Sequence, residues 1–236
     1  MTDKPTLKLD WCSHEAAKYA VEHWHYSRCM PKSKLAKIGV WESGRFIGCV
    51  IFGHGAIYRI GDPYGLEQTE CVELVRIALT NHKTPVSRIG ALAIKMLQKQ
   101  SKGLRLIVSY ADPKEGHNGA IYQAMNWVYV GNNPAPWKKV KGERVHPRTL
   151  YSRYGTHSLD YIRAHIDPNA EIVEMPGKYK YLFPLDDAMR KQVEPLRKPY
   201  PKRGTGETDN AAGSNLQTGG ASPTVPLSPD IQETTG

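Results

Sequence analysis

The sequence predicts an α/β fold: a mixed central sheet flanked by helices, followed by a basic C-terminal extension and a disordered tail. Three observations carry this. Strand-like and helix-like patterns alternate through the first 130 residues, as strands covered by helices require. Cations and aromatics crowd residues 137–154. From Lys198 onward the chain becomes rich in Pro, Gly, Thr and Ser and offers too little apolar surface to offset ordering entropy.

The elements follow in order. Residues 5–10 alternate apolar and polar and fit a strand. Ser13 can cap a helix running to Trp24, with Ala16, Ala20 and Trp24 on one face. Residues 38–42 and 45–53 are β-rich runs joined at Glu42-Ser43-Gly44, a hairpin. Residues 72–79 form a strand in which Leu74, Arg76 and Ala78 share one face. Thr84 then caps, with Pro85 first in a helix reaching Gln100. Its apolar positions Val86, Ile89, Ala93, Met96 and Leu97 keep the helical period. Leu104–Tyr110 is a buried-type strand stopped by Asp112-Pro113. Asn118–Met125 fits a helix and Trp127–Val130 a strand. Residues 134–200 are less regular and suggest an appended basic segment without a core of its own. The expected division is 1–135 as core, 136–202 as an extension completing the sheet, and 203–236 as disordered tail.

Composition narrows the function. Of 236 residues, 32 are Lys or Arg and 23 Asp or Glu. Residues 204–236 hold no cation and four acids, so residues 1–203 carry a net +13. A unit that basic suits polyanions, because cations displace counterions from phosphates. No apolar run reaches the ~18 residues a membrane span needs. The N-terminus lacks an apolar signal core. Cys12, Cys29, Cys49 and Cys71 have neither metal-knuckle spacing nor the density of a disulfide framework, which favours reduced thiols.

Five constellations could carry chemistry. Trp24-His25-Tyr26-Ser27 ends the first helix: His25 and Tyr26 could move a proton or ligate a metal, or simply cap a core. Arg76 lies in an apolar strand and needs an anionic or acceptor partner, either a ligand or an acid such as Glu73 or Asp112. Thr84, Val86, Ser87, Arg88 and Gly90 surround a strand-to-helix turn whose free amides could cradle phosphate, or merely start an amphipathic helix. Asp112 ends a buried strand, the edge where open α/β sheets bind ligands. With it go Gly116-His117-Asn118-Gly119 and Tyr122, a candidate donor; Asp-Pro is also an ordinary loop start. Finally Trp137, Lys138, Lys139, Arg148, Tyr151 and Arg153 interleave rings with cations, as nucleic-acid surfaces do; a solvated charged loop would look similar.

The succession Glu73–Thr80, Thr84–Leu97, Leu104–Asp112 and Asn118–Gly131 resembles the core of GNAT-type N-acyltransferases. More closely, seven segments in order resemble the phage Mom family of DNA adenine-modification proteins. They are Trp24-His25-Tyr26-Ser27, Gly39-Val40-Trp41, Val50-Ile51-Phe52-Gly53, Glu73-Leu74-Val75-Arg76, Thr84-Pro85-Val86-Ser87-Arg88, Ser109-Tyr110-Ala111-Asp112-Pro113 and Gly116-His117-Asn118-Gly119-Ala120-Ile121-Tyr122-Gln123. The resemblance spans residues 10–185. It implies a GNAT-like fold and conversion of adenine in phage DNA to N6-carbamoylmethyladenine, an anti-restriction modification made in the host cytoplasm on double-stranded DNA. It implies His25, Tyr26, Arg76, Asp112 and Tyr122 as catalytic positions. The glycine-rich loop of acyltransferases is reduced here to Arg88-Ile89-Gly90-Ala91. A carbamoylmethyl group is joined through a CH2 carbon, which simple thioester attack does not make. The resemblance therefore suggests iron on His25 and Tyr26, with acetyl-CoA or another two-carbon donor. The competing readings are an acetyl-CoA-dependent N-acetyltransferase of a small amine or protein, and a non-catalytic DNA-binding accessory protein. The oligomeric state is left open, a homodimer included.

Overall fold

The computed structural model describes residues 5–54, 59–133, 136–174 and 177–201. The tail expected to be disordered, 203–236, lies outside the described residues. The main sheet is built from β1 (Leu7–Trp11), β2 (Leu35–Glu42), β3 (Arg45–Gly53), β4 (Cys71–Leu79), β5 (Leu106–Ala111), β6 (Val128–Asn133) and a returning strand from late in the chain. Its helices are α1 (His14–Trp24), α2 (Val86–Gln100) and α3 (Ala120–Ala124). The next residues make β7 (Pro136–Val140), β8 (Glu143–Val145), α4 (Pro147–Tyr154), α5 (Leu159–His165) and β9 (Glu171–Glu174). The returning strand is β10 (Lys178–Pro184), and α6 (Asp187–Val193) follows it.

The seven-stranded sheet runs β1-β2-β3-β4-β5-β10-β6. It is mixed: β4 and β5 pair parallel, and the other neighbours pair antiparallel. Helices α2 and α3 cover one face over Ile38, Val50, Phe52, Leu74, Ile107 and Trp127. The other face is divided. Helix α1 packs Ala17, Ala20 and Val21 on Cys49, Ile51 and Ala78. Helix α6 and the 60–66 turn cover Leu106, Val108 and Leu182. The apolar stripe of α1 is thus one residue off the expected one, running through Ala17 rather than Ala16. Both stripes obey the helical period; burial against the sheet selects between them.

Two features differ from the sequence expectation. Residues 136–174 form a second sheet, β8-β7-β9, with a core of Val140, Val145, Leu150, Ile162 and Ala170. These apolar residues are spaced too widely to reveal a core along the chain, yet three short strands and two helices gather them. In β4, Ile51 pairs with Arg76 but Phe52 pairs with Leu74, leaving Val75 as an extra residue. A bulge of this kind switches the faces of the strand. Leu74 therefore joins Ile77 and Leu79 toward α2, while Arg76 and Ala78 face the α1 side.

Candidate active site

The turn after α1 builds the first part of the site. His25 ends the helix with its N–H on Val21 O, and its own carbonyl accepts from Arg28 N at 3.0 Å. Ser27 N donates to His25 Nδ1 at 3.1 Å, and Ser27 Oγ lies 2.8 Å from the same atom. A main-chain N–H can only donate, so Nδ1 accepts and the neutral ring carries its proton on Nε2. The ring is 9% exposed, and it stays neutral. Burial, then the charges of Arg76 and His117, push its pKa from 6.5 down to about 3. His25 therefore presents an N–H on Nε2 near neutral pH. Tyr26 is exposed, its ring 4.3 Å from that of His25 and 5.3 Å from that of His117.

The bulge supplies the second part. It brings Arg76 to the side of the sheet where α1 ends. Arg76 Nη1 donates to Val75 O at 2.8 Å. Its Nε is buried and has no acceptor among the described residues. Such a donor is costly unless a ligand supplies an oxygen.

The third part lies between β4 and β5. Their parallel pairing covers only Cys71–Glu73 against Leu106–Val108. Beyond it the strands part, and Ser109 bridges the gap. Its Oγ donates to Leu74 O at 2.8 Å and lies 2.8 Å from the Tyr122 hydroxyl. A carbonyl only accepts, so the serine proton is used there, and the Tyr122 hydroxyl donates to Ser109. Burial raises the Tyr122 pKa to about 12, opposed by that hydrogen bond and supported by Tyr26 and Glu73. Asp112, just past β5, pairs with Lys178 Nζ at 3.1 Å. Its carbonyl accepts from the Glu115 and His117 amides, which folds His117 back toward Tyr26. His25, Tyr26, Arg76 and Tyr122 therefore form one neighbourhood, and Asp112 adjoins it through this turn.

The start of α2 differs from expectation. Pro85, not Thr84, holds the N-cap position, and no side chain caps there. Thr84 is engaged elsewhere: its N–H and hydroxyl both donate to Glu42 Oε1, at 2.7 and 2.6 Å, while Lys83 N donates to Oε2. Burial acts to raise the Glu42 pKa, but the bonds from Thr84 and Lys83 prevail and lower it. The donors of Thr84 are not available to a phosphate. Val86 packs on the core. A Cβ at Gly90 would stand 3.0 Å from Met125 Sδ, so this glycine serves the close approach of α2 and α3. Ser87 and Arg88 line a cavity of about 280 Å³ with Ala91, Ile94, Ala124, Met125 and Phe183. Of the five residues singled out for a phosphorylated donor, these two line the cavity.

The cationic extension lies on the second sheet. Lys138 is buried, Lys139 pairs with Glu171 at 3.2 Å, and Arg153 pairs with Glu143 at 2.7 Å. Trp137 meets His146 edge-on, and the exposed Tyr151 stacks on His157. Arg148 falls within α4, and its side chain lies outside the described residues.

Iron on His25 and Tyr26 does not fit these donors. The Nδ1 lone pair accepts from Ser27, Nε2 bears the proton, and Arg76 adds positive charge beside the ring. Among the described residues no three His, Cys, Asp or Glu side chains gather as a ligand set. Sequence spacing revealed His25 and Tyr26 but not which ring nitrogen is free. It also missed Glu42, a hairpin-turn acid with no local signal, and Lys178, 66 positions from the carboxylate it meets.

The model of the Mom protein family matches residues 6–202. This chain belongs to the Mom family. A Mom relative, the methylcarbamoylase mom of Escherichia phage Mu, is 24% identical over 204 residues, covering 83% of this chain and 84% of that protein. Among solved structures, FeeM, an N-acyl amino acid synthase from uncultured soil microbes, is 11% identical with a TM-score of 0.46, over 81% of this Mom-family chain and 97% of that chain.

Proposed function

We propose that this protein modifies adenine in phage double-stranded DNA, placing a carbamoylmethyl group on N6 and shielding the DNA from restriction enzymes in the host cytoplasm. The observation that carries the reading is Arg76, whose buried Nε has no acceptor among the described residues and whose charge acts on the neutral His25, in a chain whose family match runs from residue 6 to 202. The name of the phage Mu relative supports the chemistry.

The adenine amine lies inside the duplex and conjugates with its ring, so it must be turned out of the stack to react. Tyr26, half-exposed at the mouth of the site, is the ring for that base to stack on. The Nε2–H of His25 and the Arg76 guanidinium both donate. Together they hold an oxygen of the two-carbon donor and orient its CH2 carbon toward the amine. Asp112, steadied by Lys178, orients the amine and takes its proton. Tyr122 turns its proton to Ser109 and presents oxygen lone pairs to the cleft. Ser87 and Arg88, at the cavity beside the start of α2, hold the phosphates of a CoA-type donor. The second sheet contributes Tyr151 and its neighbouring cations to the duplex.

The test is nucleoside mass spectrometry on DNA from cells expressing the protein. The expected result is a deoxyadenosine heavier by the carbamoylmethyl group, lost in Arg76→Ala and Asp112→Ala. Unmodified DNA with the intact protein, or full modification by both variants, defeats the reading.

A further inference from the structure

One group of charges is used neither by the core nor by the site. From His23 to Trp41 the chain holds no acid and four cations, Arg28, Lys32, Lys34 and Lys37. Lys37 is partly buried and acts on Cys12 and Glu15, so its charge is engaged within the fold. Arg28, Lys32 and Lys34 are exposed, and none has an ion-pair partner among the described residues. Arg28 touches Glu22 only at its main-chain carbonyl, at 2.9 Å, which leaves its charge uncancelled.

The segment is fixed at both ends to the site. At its start, Arg28 closes the His25 turn in the left-handed conformation, with φ 48°. A non-glycine residue there is uncommon and needs support from its surroundings. At its end, the chain lies so close to β3 that a Cβ on Gly53 would stand 2.7 Å from Leu35 Cδ2 and 3.0 Å from Lys34 O. Gly53 in turn pairs with Glu73 on the strand that carries Arg76. The cations thus lie on the segment that leads from the turn carrying Tyr26 to the start of β2. In the extension Lys139 and Arg153 are ion-paired and Lys138 is buried, while Lys141 and Arg144 are exposed.

We propose that Arg28, Lys32 and Lys34 form the rim that grips the phosphates of the DNA strand on either side of the base entering the site. The proposal rests on the DNA-modifying reading above and adds where the strand lies. Three neighbouring cations without acidic partners, beside an exposed aromatic ring, suit a nucleic-acid backbone with one unstacked base.

The experiment titrates duplex DNA with the full-length protein by fluorescence anisotropy at several salt concentrations. The variant is Arg28→Asn, Lys32→Gln, Lys34→Gln; asparagine tolerates the left-handed conformation at position 28. Each lost phosphate contact lowers the slope of log affinity against log salt by ~0.9, so the triple variant loses about 2.7 and binds roughly five-hundredfold more weakly near 0.1 M salt. The pair Lys32→Gln, Lys34→Gln, which leaves the turn untouched, loses about 1.8. A control with the same net charge, Lys95→Gln, Lys99→Gln, Lys102→Gln on and just after α2, keeps the native slope. Native slopes in both rim variants overturn the rim while leaving the DNA reading intact. An equal loss in the control reduces the effect to net charge and also overturns it. Absence of salt-dependent binding by the unmodified protein overturns both.

Discussion

Acidification is the sharpest probe of the site. In the folded chain His25 stays neutral down to about pH 3, because burial, Arg76 and His117 all oppose its protonation. In the unfolded chain it titrates at its ordinary value, 6.5. Above pH 6.5 neither state holds the proton and stability is unaffected. Between 6.5 and 3 only the unfolded state takes it up, so folding stability falls as pH falls, by about 1.4 kcal/mol per unit. Over the window from 6.5 to 4.5 the His25 contribution is a loss of about 3 kcal/mol. The assay is urea unfolding at half-unit steps across that window, for the native protein and for His25→Gln. Glutamine can still accept the Ser27 N–H through its amide oxygen, but it does not titrate. Other histidines and carboxylates contribute equally to both proteins, so the difference between the two curves isolates residue 25. The native protein should lose stability more steeply, with the gap widening toward pH 4.5. Parallel curves would show that His25 titrates alike in the folded and unfolded chain, and the claim that burial holds it neutral would fall with that.

Three further outcomes are expected. Ser109→Ala strands the Leu74 carbonyl and the Tyr122 hydroxyl together, and should cost about 2 kcal/mol in urea unfolding; a change below ~0.5 kcal/mol would mean that the strand parting is satisfied in another way. Tyr122→Phe leaves Ser109 bonded to Leu74 and should cost only about 1 kcal/mol. Since Tyr122 titrates near 12, the variant's pH profile of DNA modification between 6 and 9 should keep its shape, and a lost limb in that profile would make Tyr122 a proton carrier after all. Glu42→Ala removes the acceptor for two amides and a hydroxyl before α2 and should lower stability by about 2–3 kcal/mol, read by thermal unfolding; an unchanged midpoint would refute the anchoring role.

Much of the site was visible in the chain because its pieces are local. His25 follows an amphipathic helix capped by Ser13, and that cap is present, with Ser13 Oγ accepting from Ala16 N. Arg76 stands out because a cation in an apolar strand needs a reason. Asp112 follows a buried strand that ends at a proline. The side on which Arg76 lies was not visible: alternation puts Leu74 and Arg76 together, and the bulge at Val75 separates them. Nor was the direction of the Tyr122 proton, which depends on a carbonyl 48 positions earlier. The start of α2 was misjudged because Thr84 suits a cap by type, while the acid that engages it lies 42 residues away.

The sequence by itself determined the order of elements as far as residue 133 and the cationic character, and it offered the candidate site residues, since periodicity, charge and residue type act over a few neighbours. Tertiary structure alone decided three things. It inserted β10 between β5 and β6, it parted β4 from β5, and it left Arg28, Lys32 and Lys34 without acidic partners among the described residues. Each depends on contacts between distant segments. A strand finds its partner, a buried polar group its acceptor and a charge its counterion only after the chain has folded.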